Sequence, residues 1–450
     1  MTLLVESVRT ELAARAGESC VVTDAAACAA LAVDGIAPKY VVYPTAAAQV
    51  AAVLRCAAEH DLAVIPTGKG TKLATGNPPR RYDLALSLRE LRRVRHYEPA
   101  DLTISVEAGM QFGDFQSLVG CQGLWLPLDP RGGAGSSLGG IVASGAAGPL
   151  RQGFGGPRDM VLGLKMATTD GKIVKTGGRV VKNVAGYDLG KLLIGSYGTL
   201  GVIVEASLKL YPKPQERATF TLRAATLAVA RSLRRAILGS PFDPMRLVLL
   251  DSAGMAWATG IDQGLERSEA VVWVEVGGSH RVIERCEREL GKIGRDAGAP
   301  LARLDANMAD AVWGRISNLA GWLWEEYRDA IVLKAVLPIA AGEEFLSAAQ
   351  QAAVTEHVPA AVYAQVGVGI VHVCLRPGKG SMEIPRLIAR TREAALALGG
   401  RLVVEHSPVA FKSEVEAWGV PGDDFEFMRR MKSAWDPKGI LAPGRFVGRL

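Results

Sequence analysis

The sequence is poor in cysteine, and its few cysteines lie far apart. Six occur among the 450 residues, and no two of them form a C-x-x-C pair. They are Cys20, Cys28, Cys56, Cys121, Cys286 and Cys374. This spacing excludes a typical thiolate-held iron–sulfur cluster within the chain, because such a cluster needs several cysteines close together. It also predicts reduced thiols, as in a cytoplasmic protein.

Long uncharged apolar runs are missing as well. Near the N-terminus, Glu6, Arg9 and Glu11 interrupt the apolar stretch that a signal peptide needs. The stretch AIVLKAVLPIAAG is broken by Lys334 and Pro338, well short of the roughly 20 residues of a membrane span. We therefore expect a cytoplasmic chain, in which any membrane association would come through a partner.

Neither positive nor negative charges are concentrated in one segment of the sequence. The 52 Lys and Arg residues are scattered among 46 Asp and Glu residues, and the net charge is +6. Aromatic residues make up only 6% of the chain, which disfavours a nucleic-acid-binding surface. A content of 49% hydrophobic and 22% charged residues is typical of a globular chain, and the length predicts two or three lobes.

Glycine, in contrast, is abundant and unevenly placed. The loop PTGKGTK (66–72) follows an apolar strand, and a second glycine-rich stretch runs from 132 to 212. Glycine costs backbone entropy, so these segments need a structural or ligand-binding reason. Tight glycine turns can present backbone amides to a phosphate group. For either loop alone, a plain tight turn remains the alternative.

Two common phosphate-binding motifs fit this sequence badly. The pattern G-x-x-x-x-G-K-[ST] of a Walker loop does not occur. Gly133, Gly135 and Gly139 nearly form a dinucleotide fingerprint, but the third glycine is one place late and no acidic residue follows at the expected distance. Both motifs are therefore set aside.

The organisation changes after Pro212 and Pro214. Before them, strand and helix signals predict a small lobe over about 35–105 and a large lobe over about 106–213. Beyond them, strands such as AVVWVEVGG and GIVHVCLRP alternate with amphipathic helices such as SHRVIERCERELGKIGRD. This pattern predicts an α+β lobe over 214–430, with helices on one face of a mostly antiparallel sheet, and a turn-rich tail over 431–450.

Several segments, taken together and in order, resemble one family. They are VIPTGKGT, SLGGIVASGAAGPLRQGFG, KNVAGYDLGKLLIGSYGTLGVIVEASLKLYP and WDPKGILAPGR. The chain resembles the FAD-linked oxidases of the vanillyl-alcohol oxidase type. The resemblance implies an α+β fold, with a two-lobed PCMH-type FAD-binding domain over 1–213 and a ferredoxin-like α+β cap or substrate domain over 214–430. The tail over 431–450 would return to the FAD domain.

The resemblance also implies a set of FAD-binding residues. The first loop would face the diphosphate through Thr67, Gly68, Lys69, Gly70, Thr71 and Lys72. The rest of the cofactor would be lined by Pro127, Ser136, Leu138, Gly139, Gly140, Ser144, Gly148, Gly153, Gly198 and Val202. Members with covalent flavin carry a histidine near the position of Thr71, so the resemblance implies FAD that is bound noncovalently.

Within this family, the run RVVKNVAGYDLGKLLIGSYGTLG is most similar to the branch that oxidises α-hydroxy acids. The match is closest to the FAD-binding accessory subunits of bacterial glycolate oxidases, the GlcE type. The resemblance implies work in a complex with a second FAD-linked oxidase subunit and an iron–sulfur subunit. The implied substrate is a small α-hydroxy acid, glycolate or D-lactate, which would be oxidised to the 2-oxo acid.

The metal site of the catalytic relatives is eroded in this sequence. Those relatives carry H-x-G-D-G-N-x-H and a later E-H-G, which supply metal ligands and a base. This chain reads QVGVGIVH and EHS, with Gln365, Val368 and Ile370 at the first histidine, the aspartate and the asparagine. A degenerate site would consist of Gln365, His372 and Glu405, and this donor set is poor. We therefore expect no bound metal.

The resemblance implies catalytic roles for the surviving residues. Arg315 would bind the substrate carboxylate, and His406 would take the hydroxyl proton, beside His372 and Glu405. Each of these residues also has an ordinary structural explanation. A position in the core would explain His372, and a solvated pair would explain Glu405 and His406. A surface salt bridge would explain Arg315. Tyr197 is a further departure, since the relatives have an acidic residue there.

Three functions remain open at this level. The first is an FAD-binding subunit of a complex similar to glycolate oxidase. The second is a stand-alone FAD-dependent D-2-hydroxyacid dehydrogenase. The third is a flavin-bearing scaffold that transfers electrons without a substrate of its own, which the replacements at Gln365, Val368 and Ile370 favour.

Overall fold

The computed structural model describes residues 2–179, 188–260, 269–327, 329–378 and 383–450. Most of the motif RVVKNVAGYDLG therefore lies outside the described residues. The described residues divide into two compact units. The first unit comprises Met1–Ala146, Gly156–Pro212 and Val420–Leu450, and the second comprises Ala147–Gly155 and Lys213–Gly419.

The strands of the first unit are β1 (Val21–Val22), β2 (Tyr40–Val42), β3 (Val64–Thr67), β4 (Leu84–Ser87), β5 (Val94–Glu98), β6 (Thr103–Glu107), β7 (Leu124–Trp125), β8 (Val161–Ala167), β9 (Ile173–Gly177), β10 (Val202–Lys209) and β11 (Tyr211–Pro212). The helices of the first half of the chain are α1 (Thr2–Ala16), α2 (Ala25–Ala30), α3 (Ala47–Glu59), α4 (Phe112–Gly120), α5 (Leu138–Ser144), α6 (Arg151–Phe154), α7 (Pro157–Met160) and α8 (Gly190–Leu193).

The remaining strands are β12 (Glu216–Ala224), β13 (Arg246–Asp251), β14 (Ala270–Gly278), β15 (Leu301–Arg303), β16 (Ile331–Val336), β17 (Ala360–Gln365), β18 (Ile370–Leu375) and β19 (Arg401–His406). The remaining helices are α9 (Leu227–Leu238), α10 (Ser252–Thr259), α11 (His280–Asp296), α12 (Ala306–Ser317), α13 (Leu319–Glu326), α14 (Gly342–Thr355), α15 (Ile384–Ala397), α16 (Val409–Lys412) and α17 (Phe425–Trp435).

The first unit contains two main sheets. One has the strand order β1-β2-β4-β3, in which β2, β4 and β3 are parallel, and α3 makes the crossover that parallel strands require. The other has the order β5-β6-β10-β8-β9 and is antiparallel throughout. The hairpin expected around Asp170 and Gly171 joins β8 to β9, and Gly171 adopts a φ of +82° that suits its turn.

The second unit is built on one antiparallel sheet, with the order β15-β12-β14-β13-β17-β18-β16-β19 among its described strands. Successive side chains of a strand point to opposite faces. One face, which includes Val362 and Val373, packs against α9, α11, α14 and α15. The other face, which includes Tyr363 and Cys374, packs against α10, α12 and α13. The prediction of helices on one face was therefore wrong.

The reason lies in the strands themselves. β14 and β18 are buried along nearly their whole length, so both faces carry apolar side chains that need a cover. The short segment 147–155 also packs in this unit, where Gly153 N–H donates to the Met245 carbonyl at 3.2 Å. No pattern in the sequence predicted that 147–155 would pack in this unit.

A buried ion pair joins two helices on one face of this sheet. Arg234 of α9 and Glu343 of α14 are 6% and 1% exposed, with Nε–Oε1 and Nη2–Oε2 distances of 2.5 and 3.3 Å. Removing one partner of a buried pair leaves an uncompensated charge. We expect Glu343→Ala to lower the free energy of unfolding by about 3–5 kcal/mol in urea denaturation.

The neighbouring Arg235, which is exposed on the same helix, supplies the control. Arg235→Ala should change the free energy of unfolding by less than about 0.5 kcal/mol. The apolar pair Arg234→Met/Glu343→Leu should recover most of the lost stability, since well-packed apolar residues can replace a buried ion pair. Equal stabilities of Glu343→Ala and Arg235→Ala would contradict this account.

Two further expectations concern the whole chain. The six cysteines, all within the described residues, are free thiols, as their spacing predicts. Within the described residues, no helix combines the length and the apolar character needed to cross a membrane.

Candidate functional site

The first glycine loop begins where β3 ends. Thr67, the last residue of that strand, is 5% exposed, and its buried Oγ1 has no hydrogen-bond partner among the described residues. A Cβ atom added at Gly68 would lie 1.9 Å from Ser137 Oγ and 2.8 Å from Ser137 Cβ. The bare backbone at Gly68 therefore lies directly against the second glycine segment.

Side chains of the two segments also contact each other. The Lys72 ammonium donates to the Arg131 carbonyl at 3.1 Å and to Ser136 Oγ at 3.4 Å, while Thr71 Oγ1 and Ser136 Oγ are 3.3 Å apart. Lys72 was predicted to face a diphosphate, and these bonds use its ammonium to join the loops. Lys69 is the exposed lysine of the loop.

The turn over 196–201 reaches the same place. Gly198 has a φ of +73°, and a Cβ atom there would lie 3.2 Å from Pro66 Cγ, just before the first loop. Tyr197, although not glycine, has a φ of +53°, and its N–H donates to the Ala143 carbonyl of α5 at 2.8 Å. The structure therefore brings the first loop, α5 and this turn together.

The other predicted cofactor residues lie on several elements. Leu138, Gly139, Gly140 and Ser144 lie on α5, Pro127 follows β7, and Val202 begins β10. Gly70 is in the first loop, with a φ of +76°. Gly148 and Gly153 belong to the second unit.

The C-terminal tail contributes an arginine that the sequence reasoning missed. Arg445 is 8% exposed, and its Nη2 donates to the carbonyls of Leu73 and Thr75 at 2.7 and 2.6 Å. Burial lowers the pKa of this guanidinium. In the sequence, Arg445 is a basic residue in the segment LAPGR of the predicted turn-rich tail, and this position could have indicated a structural or binding role.

These features fit FAD. Gly68 and Gly198 carry no side chain where they approach the side chains of Ser137 and Pro66, and bare main chain in tight turns can bind a phosphate group. The buried Thr67 hydroxyl offers such a ligand one more hydrogen bond. The first loop would hold the diphosphate of FAD.

In the second unit, four neighbouring strands place polar groups on one face of the sheet. On β18, His372 lies opposite Lys334 of β16 and opposite Tyr363 of β17. The rings of His372 and Tyr363 stack with centroids 4.4 Å apart and planes 2° apart. Because Tyr363 and Cys374 belong to the second-face core, His372 lies on that same face.

An irregularity in β19 brings in the other two predicted residues. Val332 pairs with His406 and Leu333 with Val404, so Glu405 is the extra residue of a β-bulge. Bulges re-aim side chains and are frequent next to active sites. Glu405 Oε2 lies 3.7 Å from His372 Nε2, and His406 is 4% exposed. The structure thus places His372, Glu405 and His406 together.

Gln365 ends β17 on the same face. It is 1% exposed, and its Oε1 has no hydrogen-bond partner among the described residues.

Among the described residues, the group of three His, Cys, Asp or Glu side chains near enough to share a metal is Glu11, Cys56 and His60 of the first unit. Burial raises the pKa of the Cys56 thiol to about 11.

Lys334 is a residue of this group to which the sequence reasoning gave no role. It is half-buried, and no carboxylate of the described residues lies within ion-pair distance of it. Directly opposite residues of an antiparallel pair have Cβ atoms about 4.5–5.5 Å apart, so Lys334 is next to His372. In the sequence, a single lysine in the middle of an apolar strand could have indicated a functional role for Lys334.

Arg315 lies elsewhere in the second unit. It is near the end of α12, with its guanidinium 5.7 Å from the centre of the Trp322 ring and beside Gly260. Within the described ranges, no hydrogen bond or ion pair joins Arg315 to His372, Glu405 or His406.

Comparison with known proteins decides the family. Residues 38–177 match a FAD binding domain, and residues 213–446 match the C-terminal domain of FAD linked oxidases. The chain belongs to the FAD-linked oxidases. FAD is therefore the cofactor of this FAD-linked oxidase, as predicted, and the enzyme is an oxidoreductase.

Relatives of this FAD-linked oxidase include subunits of glycolate oxidase. GlcD of Bacillus subtilis (strain 168) is 27% identical over 421 residues, covering 92% of this chain and 89% of that protein. GlcE of Escherichia coli (strain K12) is 40% identical over 157 residues, covering 35% of this chain and 44% of that protein. A D-lactate dehydrogenase of Archaeoglobus fulgidus is 28% identical over 423 residues, covering 91% of each chain.

Solved structures confirm the predicted α+β fold of the PCMH type. A structure of p-cresol methylhydroxylase matches with a TM-score of 0.74 and 15% identity, covering 98% of this chain and 96% of that chain. Alkyldihydroxyacetonephosphate synthase matches with a TM-score of 0.75 and 17% identity, covering 97% and 84%. At such low identity these likenesses concern the fold alone.

Proposed function

We propose that this FAD-linked oxidase oxidises a small α-hydroxy acid, glycolate or D-lactate, to the corresponding 2-oxo acid. The observation that carries the proposal is the polar group on one sheet face of the second unit. There Lys334, half-buried and without an ion-pair partner among the described residues, lies opposite His372, next to the bulge that presents Glu405 and His406. The relatives named as glycolate oxidase subunits and D-lactate dehydrogenase support this substrate class.

Each residue of the group suits one part of such a reaction. Lys334 would pair with the substrate carboxylate, since its ammonium has no anionic partner among the described residues. We favour Lys334 over Arg315 for this task because its register places it next to His372. His406 would accept the hydroxyl proton, a step suited to a base with a pKa near neutrality. Glu405 would hold the His372 ring in orientation. Bound FAD supplies the hydride acceptor.

We further propose that the chain acts as the FAD-binding subunit of a complex similar to glycolate oxidase. The partners would be a second FAD-linked oxidase subunit and an iron–sulfur subunit that takes the electrons onward. The separated cysteines favour a separate iron–sulfur partner. FAD would be bound noncovalently, since Thr71 stands near the place of the histidine found in covalent members of the family.

Two other functions each have one observation in their favour. The similarity to a D-lactate dehydrogenase over 91% of both chains favours a stand-alone D-2-hydroxyacid dehydrogenase. The buried amide of Gln365, at the position of a metal ligand in catalytic relatives, favours a flavin subunit that transfers electrons without a substrate.

One assay separates the three functions. The isolated chain and the complex purified from its native host are mixed anaerobically with glycolate or D-lactate, and the flavin absorbance is followed. We expect bleaching in the complex that is slowed by His406→Ala in this chain, with L-lactate as the inactive control. Bleaching that His406→Ala leaves unchanged would assign the oxidation to the second FAD-linked oxidase subunit and leave this chain as the electron-transfer subunit. Bleaching by the isolated chain with stoichiometric metal would favour the stand-alone dehydrogenase. Absence of bleaching in both preparations would overturn the proposed oxidation and leave the electron-transfer subunit.

A further inference from the structure

A lysine in the C-terminal segment uses all three of its N–H groups inside the first unit. Lys432, on α17, is 8% exposed. Its Nζ donates to Asp436 Oδ2 at 2.6 Å, to the Thr199 carbonyl at 2.9 Å and to the Leu441 carbonyl at 2.8 Å. An ammonium has three donors, so this group is fully occupied. We call Lys432 and Asp436 the tail pair.

Asp436 fixes the chain that follows it. It is 1% exposed, and its Oδ1 and Oδ2 accept the N–H groups of Ile440 at 3.1 Å and Leu441 at 2.8 Å. The segment so held runs beside β3. The Val64 N–H donates to the Ile440 carbonyl, and the Ala442 N–H donates to the Val64 carbonyl, each at 2.8 Å. The tail pair is thereby connected to the strand that leads into the first glycine loop.

The third bond of Lys432 reaches the other cofactor segment. Thr199 lies in the turn over 196–201, is 2% exposed, and follows Gly198, which approaches Pro66. One ammonium therefore joins the turn to the tail, and the tail is in turn hydrogen-bonded to β3. These bonds link the turn to the strand that leads into the first glycine loop.

Stability alone is a weak reason for such a pair. Burial lowers the pKa of Lys432, which means that the surroundings disfavour its charged form, although Asp436 opposes the shift. Replacing a buried ion pair by neutral groups of similar size is often neutral or stabilising. What an apolar replacement cannot reproduce is the set of three directed hydrogen bonds.

We propose that Lys432 is a positioning residue for FAD, which holds the turn over 196–201 and the first glycine loop at the spacing that the cofactor requires. The inference rests on the assignment of Thr67–Lys72 and of Gly198 to FAD, made above. It concerns cofactor binding and is independent of the acid that is oxidised.

The test measures FAD affinity on the full chain after removal of the cofactor. The Kd for FAD is determined from the quenching of flavin fluorescence, and the urea midpoint of the apoprotein is recorded in parallel. Lys432→Met should raise the Kd about ten-fold or more, since hydrogen bonds of a charged group are lost. Lys438→Met is the matched control in the same segment, because Lys438 donates instead to the Ala58 carbonyl and is exposed. Its Kd should stay within two-fold of the original.

A double variant separates positioning from stability. Lys432→Met/Asp436→Asn removes both charges while nearly keeping the side-chain volumes, so it leaves no uncompensated buried charge and its apoprotein should have a higher urea midpoint than that of Lys432→Met. Its Kd for FAD should nevertheless remain raised about ten-fold. FAD binding by the double variant within two-fold of the original chain would overturn the proposal. Failure of both variants to fold would overturn it too, because the pair would then be needed for folding itself. Turnover is not measured, so either result leaves the proposed oxidation to its own assay.

Discussion

His406→Ala is expected to slow reduction of the flavin by an α-hydroxy acid by about 10²–10⁴-fold, the usual contribution of a general base. His406 follows the bulge residue Glu405, and the His406 side chain lies on the same face of the sheet as His372 and Lys334. If His406 takes the hydroxyl proton, its removal should lower the rate at saturating acid. The dissociation constant for the acid should change little, because Lys334 would still bind the carboxylate.

The measurement is anaerobic stopped-flow reduction of the flavin over a range of acid concentrations, in the complex. His280→Ala is the control, since His280 is an exposed histidine of the same unit with ion pairs to Glu216 and Glu284. FAD content is determined for each preparation, so that lost cofactor is not read as lost chemistry. An unchanged limiting rate in His406→Ala would place the base elsewhere.

Gly68→Ala should weaken FAD binding by about ten- to hundred-fold, because overpacking at a tight contact typically costs about 1–3 kcal/mol. The new Cβ would lie 1.9 Å from Ser137 Oγ and 2.8 Å from Ser137 Cβ. Rotation of the Ser137 side chain would not remove this clash without a loss, because the Ser137 hydroxyl accepts the Gly140 N–H at 3.3 Å and caps α5. The two glycine segments would have to move apart.

The check is the FAD-to-protein ratio after purification, together with the Kd for FAD. Gly314→Ala is the matched control, since a Cβ atom there meets nothing within 4 Å in the exposed part of α12. Gly68→Ala/Ser137→Gly removes the atoms that collide, and glycine is tolerated at a helix N-cap, so this variant should regain most of the affinity. A stoichiometric yellow Gly68→Ala protein would disprove the contact argument.

The sequence predicted most elements because local patterns determine them. Alternating or continuous apolar runs marked β13, β14, β16, β18 and β19, and the 3.6-residue period of SHRVIERCERELGKIGRD marked α11. The glycine loops were recognisable because no regular element tolerates so many glycines. The family resemblance implied that both glycine segments bind parts of the same cofactor.

Other features depend on tertiary contacts that no local pattern encodes. The second layer of helices requires knowing that both faces of the sheet are apolar and that α10, α12 and α13 cover one of them. The place of Lys334 opposite His372 is a matter of strand register. The bulge at Glu405 shifts that register by one residue, which sequence alternation alone cannot show.

The discontinuity of the first unit has a consequence for biosynthesis. Its last segment, Val420–Leu450, supplies the hydrogen bonds to β3 and the tail pair, yet the ribosome makes this segment after all of the second unit. Domains generally fold as units during synthesis. The second unit can therefore fold on the nascent chain while the first still lacks the segment that carries the tail pair. Because that segment holds the turn over 196–201 through Lys432, we expect FAD to be bound only after Val420–Leu450 has been synthesised.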